Sequence, residues 1–144
     1  MSGTLLVVAG ALFRDGHLLL ARRPEGGPLA GFWELPGGKV EAEETPEAAL
    51  AREWSEELGV LVEASSPLTF ASGAPDGPHV TLLVYLVRLL RGEPSPLGVA
   101  ELRWTTPEEA ARLPLLPADR PVVERLPRDG TGRFRETEDG GGTP

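Results

Sequence analysis

The chain has 144 residues, 40% of them hydrophobic, and a formal net charge of −8. This size predicts one globular domain, and the negative charge argues against binding to a nucleic-acid polymer. With no cysteine and two histidines, disulfides, thiol nucleophiles and thiolate-bound zinc are excluded, so any metal would be held by oxygen. No apolar run approaches the roughly 18 residues that span a bilayer, so we expect no membrane partner and a cytoplasmic monomer or homodimer.

The N-terminal quarter of the chain reads as strands and turns. Two apolar runs, residues 4–13 and 17–22, are joined by Arg14-Asp15-Gly16, which predicts an antiparallel hairpin because Asp-Gly suits a tight turn. After a Gly/Pro-rich loop at 24–31, residues 32–35 read as a short strand. The pair Gly37-Gly38 then predicts a glycine turn.

Residues 46–58 carry the clearest helix signal in the chain. Thr45 can cap the helix, Pro46 fits its first turn, and Gly59 is a natural stop. At about 100° per residue the helix has two distinct faces. The predicted packing face contains Ala51, Trp54 and Leu58, and the opposite face contains Glu53, Glu56 and Glu57.

Three carboxylates on one helical face repel one another unless a positive charge lies among them. Magnesium and manganese ions prefer carboxylate, carbonyl and water oxygens, and a backbone carbonyl from the Gly37-Gly38 turn could reach the same ions. The alternative is a plain acidic helix face in contact with solvent. The helix alone leaves both interpretations open.

The C-terminal half predicts a further alternation of strands and helices. Residues 60–63, 68–72, 80–90 and 101–105 read as strands, with 80–90 apolar enough to be a central strand. A turn-rich loop covers 73–78. Helices are predicted to open at Thr106-Pro107 and to cover 119–126. The composition of residues 127–144 predicts a disordered tail.

The spacing of residues around the acidic helix resembles the signature of the Nudix hydrolase family. It consists of Gly38, Glu44, Arg52-Glu53, an apolar Trp54, Glu56-Glu57, Gly59 and an apolar Val60. The resemblance implies an α/β fold, an α/β/α sandwich around a mixed β-sheet, forming a single domain over residues 1–126. It also implies an enzyme that hydrolyses a nucleoside diphosphate linked to another moiety.

By the same resemblance, Glu53, Glu56, Glu57 and the Gly38 carbonyl are metal ligands for Mg²⁺ or Mn²⁺. Either Glu53 or Glu56 doubles as general base, and Arg52 orients the carboxylates. Glu44 supports the loop and the helix entry. Trp54 is large for the apolar position of the signature, and we expect it to fill a core pocket.

Flanking motifs extend the resemblance to about residues 3–126, closest to MutT-type nucleoside triphosphate pyrophosphohydrolases. They are Ala21-Arg22-Arg23-Pro24, the run from Gly31 to Glu41, and Pro117-Ala118-Asp119-Arg120-Pro121. The implied reaction converts a (deoxy)nucleoside triphosphate to monophosphate and pyrophosphate. Arg23 matches a phosphate- or sugar-binding position, or is a solvated strand-end arginine. Leu35 matches a ring-contacting position. Asp119 matches the residue that reads the base edge, and it also suits a helix N-cap, a role compatible with the first.

The chain departs from the MutT-type pattern at positions that bear on specificity and catalysis. Leu35 replaces a phenylalanine, Pro78 replaces a base-contacting arginine, and Asp119 replaces an asparagine found where oxidised guanine is the substrate. Cytosine or adenine nucleotides are therefore equally arguable. The glutamate that MutT-type enzymes supply from a loop falls at Gly98. Glu101 is the candidate to replace that glutamate as metal ligand or general base. Alternatively, it is an exposed residue at the start of a strand.

Two other functions remain open from the sequence. Pro75 lies where ADP-ribose-specific members of the family place a proline, although turn formation is much the better explanation in a chain with 15 prolines. A nucleotide-binding module without turnover is the second alternative. Such modules tend to lose signature carboxylates, which this chain keeps.

Overall fold

The computed structural model describes residues 4–73 and 79–136. Eight strands and three helices follow one another along the chain. They are β1 (Leu5–Ala11), β2 (Phe13–Arg14), β3 (His17–Arg22), β4 (Trp33–Glu34), β5 (Gly37–Lys39), α1 (Pro46–Leu58), β6 (Leu61–Gly73), β7 (Val80–Arg91), β8 (Glu101–Thr105), α2 (Pro107–Arg112) and α3 (Arg120–Glu124).

The larger sheet is mixed and has the strand order β5-β1-β7-β6. β1 and β7 run parallel, whereas β5 pairs with β1 and β6 pairs with β7 in antiparallel fashion. The apolar run at 80–90 is therefore a central strand, as predicted, because it is flanked by β1 and β6. β6 is one long edge strand rather than the two predicted. Its register shifts on both sides of Pro67, a residue that lacks an N–H and is tolerated at edges and bulges.

The predicted N-terminal hairpin is only partly correct. The turn at Asp15 and Gly16 forms, with φ of 51° and 75°, but it joins β3 to the two-residue β2. Both edges of β1 are occupied by β5 and β7 of the larger sheet, so β1 has no free edge to which β3 could pair. The predicted strand at residues 4–13 is therefore divided into β1 and β2. The chain leaves that sheet at Leu12 and enters a second one.

The second sheet is built on β3. β8 pairs antiparallel with one side of β3, and β2 and β4 pair with it as well. The predicted strand at 101–105 and the helix opening at Thr106-Pro107 are both confirmed. The third helix is shorter than predicted, since α3 covers only Arg120–Glu124 and Asp119 is its N-cap residue.

Two apolar clusters lie on opposite sides of the larger sheet. One contains Leu50, Trp54 and Leu58 of α1, and the other contains Ala110 of α2 and Val122 and Val123 of α3. Helices therefore cover both faces, and the expected α/β/α sandwich around a mixed sheet is confirmed. None of the helices among the described residues is long and apolar enough to cross a membrane.

Residues 127–136 belong to the fold, although the sequence predicts a disordered tail from 127 onward. Phe134 is 1% exposed and its ring lies 5.9 Å from that of Phe13. Arg133 donates to the Asp15 carbonyl, and Glu136 accepts from the Gly16 N–H. The buried Phe134 ring and these hydrogen bonds attach the polar segment to the hairpin, and composition does not reveal such contacts. The rest of the predicted tail, 137–144, lies outside the described residues.

Candidate active site on the acidic helix

Local capping fixes both ends of α1 and thereby the direction of its glutamates. The Thr45 hydroxyl oxygen accepts from the Ala48 N–H at 3.1 Å, and Pro46 occupies the first turn. Gly59 ends the helix with φ of 69°, and its N–H donates to the Ser55 carbonyl at 3.1 Å. The predicted helix is confirmed at both ends because these signals are local.

Trp54 attaches α1 to the segment that precedes the glycine pair. Its side chain is fully buried, and its indole N–H donates to the Pro36 carbonyl at 2.8 Å. Gly10 makes room for the indole, because a Cβ at Gly10 would lie 3.0 Å from Trp54 Cζ2. The expected packing role of Trp54 is confirmed. Ala51, predicted on the same face, is only partly buried, whereas Ala49 is fully buried.

Gly37 and Gly38 form strand β5 rather than the predicted turn. Neither has a positive φ, so conformational freedom is not the reason for glycine here. A Cβ on Gly37 would overlap the Val8 carbonyl of β1, and one on Gly38 would overlap the carboxylate of Glu53. The glycines let two strands and the helix approach closely, which places the Gly38 backbone directly against Glu53.

Arg52 is the centre of the polar network on the acidic face. Its guanidinium donates to both Glu44 oxygens, at 2.7 and 3.0 Å, and to Oε1 of Glu53 at 3.1 Å. It also donates to the Lys39 carbonyl at 3.1 Å and lies 3.5 Å from Glu56. The hydrogen bond from Arg52 lowers the pKa of Glu44 to about 2. One arginine thus ties the loop before α1, strand β5 and two helix glutamates together.

The three α1 glutamates have different environments. Glu56 is 61% exposed. Burial is the main cause that raises the pKa of Glu53. Burial, followed by the charges of Glu53 and Glu34, raises the pKa of Glu57 to about 8. Within residues 4–73 and 79–136, the Glu57 carboxylate has neither a hydrogen bond nor an ion pair.

The donor set fits a hard divalent cation in its chemistry. All the candidate ligands are oxygens, the ligand type that Mg²⁺ and Mn²⁺ prefer. No three acidic or histidine side chains of the described residues converge closely enough to hold a metal ion as they stand. Arg52 forms ion pairs with Glu53 and Glu56, whereas Glu57 has no ion pair among the described residues and feels the Arg23 charge only at longer range.

Glu34 is the site residue that sequence reasoning missed. It lies on β4, and Arg23 Nη1 lies 3.3 Å from its carboxylate. Burial raises its pKa to about 7, with Arg23 opposing the shift and Glu53 adding to it. The signal in the sequence was an acid within the apolar run 32–35, but a glutamate on a strand usually faces solvent.

Asp119 is almost wholly buried at the N-terminus of α3. It is 4% exposed, and its carboxylate accepts from the Leu35 N–H at 2.9 Å instead of capping the helix. Burial raises its pKa to about 7. The side chain of Leu35 is 1% exposed and lies in the core. Leu35 therefore contributes to the site through its backbone N–H, which orients the Asp119 carboxylate. Glu34 is close enough for its charge to affect the pKa of Asp119.

Arg23 and Glu101 lie on different sides of β3. Arg23 Nε donates to the Pro28 carbonyl at 3.0 Å, and the side chain is 30% exposed, so it is not a freely solvated arginine. Glu101 lies 3.2 Å from Arg22 Nε and 3.3 Å from Arg103. The hydrogen bond from Arg22 is the main cause that lowers the pKa of Glu101. Its ion-pair partners in the described part of the chain are these arginines, not the α1 cluster.

Three positions of the sequence argument either lie outside the described residues or carry no side chain. Pro75 and Pro78 lie outside the described residues. Gly98, where MutT-type enzymes place a loop glutamate, contacts Glu57 instead: a Cβ on Gly98 would lie 3.2 Å from Glu57 Cα.

Comparison with known proteins agrees with this arrangement. Residues 4–126 match the family model described as the NUDIX domain. The chain is 39% identical over 118 residues to the CTP pyrophosphohydrolase of Escherichia coli K12, covering 82% of this chain and 87% of that protein. It is 43% identical over 91 residues to the 8-oxo-dGTP diphosphatase of Proteus vulgaris, covering 61% of this chain and 80% of that protein.

Among solved structures, the MutT NUDIX hydrolase from Burkholderia pseudomallei superimposes with a TM-score of 0.78 and 33% identity, covering 87% of this chain and 99% of that one. The family match includes the whole acidic helix, the glycine strand β5 and the buried Asp119. The chain therefore belongs to the Nudix family of hydrolases.

Proposed function

We propose that the protein is a MutT-like, divalent-metal-dependent hydrolase that cleaves (deoxy)nucleoside triphosphates, including oxidised or otherwise modified ones, to a monophosphate and pyrophosphate. The observation that carries the proposal is the partly buried Glu57 carboxylate, which lies near the charges of Glu53 and Glu34 and has no hydrogen bond or ion pair among the described residues. A buried acid kept in such a place costs stability unless a ligand compensates it.

The metal ligands are Glu53, Glu56, Glu57 and the Gly38 carbonyl. Bound there, Mg²⁺ or Mn²⁺ would supply positive charge that offsets the charge of the polyphosphate and would make an attacking water more acidic. Glu56 is the ligand with the greatest freedom to turn, because it is 61% exposed and its ion pair with Arg52 is long at 3.5 Å. Arg52 keeps Glu53 beside the Gly38 backbone through its bond to Glu53 Oε1.

Glu53 is the better candidate of the two α1 glutamates for general base. Burial raises its pKa, the direction in which a carboxylate becomes a stronger base. Glu101 is less suited, because its lowered pKa and its two arginine partners hold it as a charged group.

Glu34, Arg23 and Asp119 form the nucleoside end of the site. Arg23 offers its guanidinium to a phosphate or sugar, and Asp119 meets the base edge. An ionised Asp119 accepts a hydrogen bond from an exocyclic amino group, and a protonated Asp119 can also donate one. Cytosine suits both states, because its N4 amino group donates and its N3 accepts. Adenine and oxidised guanine are the competing bases, and a relative named for CTP hydrolysis supports cytosine.

The test is product analysis after incubation of the purified protein and Mg²⁺ with normal and oxidised nucleoside triphosphates and ADP-ribose. Monophosphate and pyrophosphate are expected, with orders of magnitude less turnover by Glu57→Gln and an unchanged fold by circular dichroism. AMP and ribose 5-phosphate from ADP-ribose would instead identify the ADP-ribose branch of the family. No turnover across the panel, or full activity of Glu57→Gln, would refute the proposal.

A further inference from the structure

The last carbonyls of α1 are bonded by a distant segment of the chain. Helix ends leave their final carbonyl groups without intrahelical partners. Here the N–H groups of Leu97 and Gly98 both donate to the Glu57 carbonyl, at 3.0 and 2.9 Å, and the Ser95 N–H donates to the Leu58 carbonyl at 3.0 Å. The backbone of Glu57 is thus held by two hydrogen bonds from residues about forty positions away.

Gly98 lies flat against Glu57. A Cβ at this position would lie 3.2 Å from Glu57 Cα and 3.3 Å from Glu57 Cγ, which is tighter than ordinary van der Waals contact. Gly98 does not have a positive φ, so the contact and not the backbone conformation favours glycine. Any side chain at 98 must displace Glu57, its own backbone, or both by a few tenths of an ångström.

The segment 93–98 is itself anchored to the second sheet at both ends. Arg14 donates to the two oxygens of Glu93 at 2.8 and 3.1 Å, and its guanidinium stacks 4.4 Å above the Trp104 ring. Just beyond the segment, the Ala100 N–H donates to the Arg22 carbonyl at 2.9 Å. These contacts attach the segment to the second sheet on either side of its bonds to α1.

We propose that residues 93–98 are a positioning element for the metal ligand Glu57 and that Gly98 is its positioning residue. This chain places a bare glycine backbone against Glu57 and uses it to fix the end of the acidic helix. The proposal rests on the proposed function, since it assumes that Glu57 binds the metal.

The test compares Gly98→Ala with Gly130→Ala, a matched change at a glycine that has no atom within 4 Å of its added Cβ. Binding of Mn²⁺ alone is measured by electron paramagnetic resonance, together with kcat, KM for the nucleotide, and the melting temperature in chelator. Gly98→Ala is expected to weaken Mn²⁺ binding about tenfold, which is the lower end of the loss in metal affinity seen when a residue that positions a metal ligand is changed. kcat falls similarly, whereas KM changes less than about twofold.

A merely structural role for Gly98 would lower the melting temperature in chelator and leave Mn²⁺ affinity unchanged, which would overturn the proposal. Glu93→Ala loosens the segment without adding a Cβ to position 98, and it is expected to weaken Mn²⁺ binding about two- to threefold. Unchanged affinity in Glu93→Ala as well as Gly98→Ala would contradict the role of the segment even if one variant folds poorly.

Coupling to Glu57 is tested in the double variant. If Gly98 acts through Glu57, Gly98→Ala causes no further loss of Mn²⁺ affinity in a Glu57→Gln background. An equal loss in both backgrounds would refute the coupling. If the wild type turns over nucleotide but Gly98→Ala binds Mn²⁺ as tightly as the wild type does, the inference about Gly98 is overturned and the proposed function stands. Absence of Mn²⁺ binding by the wild type overturns the proposed function and the inference together.

Discussion

Replacing Asp119 by asparagine is expected to stabilise the metal-free protein at pH 8 and to have little effect near pH 4. The amide oxygen of asparagine can still accept from the Leu35 N–H, which is the hydrogen bond the carboxylate makes at 2.9 Å. What the substitution removes is the buried charge. Asp119 is 4% exposed, and burial is the main cause of its raised pKa.

The magnitude follows from proton linkage. The pKa of Asp119 rises from 3.8 to about 7 on folding, so between these pH values the folded protein holds a proton that the unfolded chain releases. Stability from this group is complete below about pH 4 and is lost as the pH rises to 7. About three pKa units at about 1.4 kcal/mol each set an upper limit of about 4 kcal/mol above pH 7. The asparagine variant avoids this loss, because its amide does not titrate.

Urea denaturation of the wild type and Asp119→Asn at pH 4.5, 6, 7 and 8, in chelator, measures the difference directly. The stability advantage of the variant should grow steadily with pH and level off above 7. Glu108→Gln, at an exposed position of α2, is the control and should leave the pH dependence of the wild type unchanged. A difference between Asp119→Asn and the wild type that is independent of pH would refute the linkage argument.

Three further predictions follow from the packing and the polar network. Glu44→Gln should lower kcat about tenfold in a nucleotide assay, because it weakens the hold on Arg52, and unchanged kcat would contradict the ordering role of Arg52. Gly37→Ala should lower the melting temperature sharply, since its Cβ overlaps the Val8 carbonyl, and a wild-type melting curve would refute the close approach of β5 to β1. Phe134→Ala should cost about 3–5 kcal/mol in urea denaturation, and a loss under 1 kcal/mol would show that residues 127–136 are not part of the cooperative fold.

Elements with local signals were predicted well. Thr45, Pro46 and Gly59 bounded α1 correctly because capping depends on neighbours in sequence. β7 was recognised as a central strand by its continuous apolar run. The break at Leu12 and the union of the two predicted strands into β6 were missed, since both depend on which partner strands occupy each edge.

The residues of the candidate site also fall into two groups, those that local spacing predicts and those that only tertiary packing brings together. The spacing of Glu53, Glu56 and Glu57 on one helical face follows from helix geometry and was available from the sequence. Glu34 was missed because its burial beside Arg23 arises from the packing of β4 on β3. The glycines of β5 were read as a turn, although their role is to let Glu53 approach the backbone.

The sequence by itself determined the family, the acidic helix and the set of candidate oxygen ligands, because these rest on residue identity and short-range spacing. Only the tertiary structure decided which acids lose enough water for their pKa values to rise, namely Glu57, Glu34 and Asp119. Desolvation depends on every neighbour that excludes water from a carboxylate, and those neighbours come from strands and helices far apart in the chain. The contact of Gly98 with Glu57 has the same origin, since it exists only once β7 has carried the chain back to the end of α1.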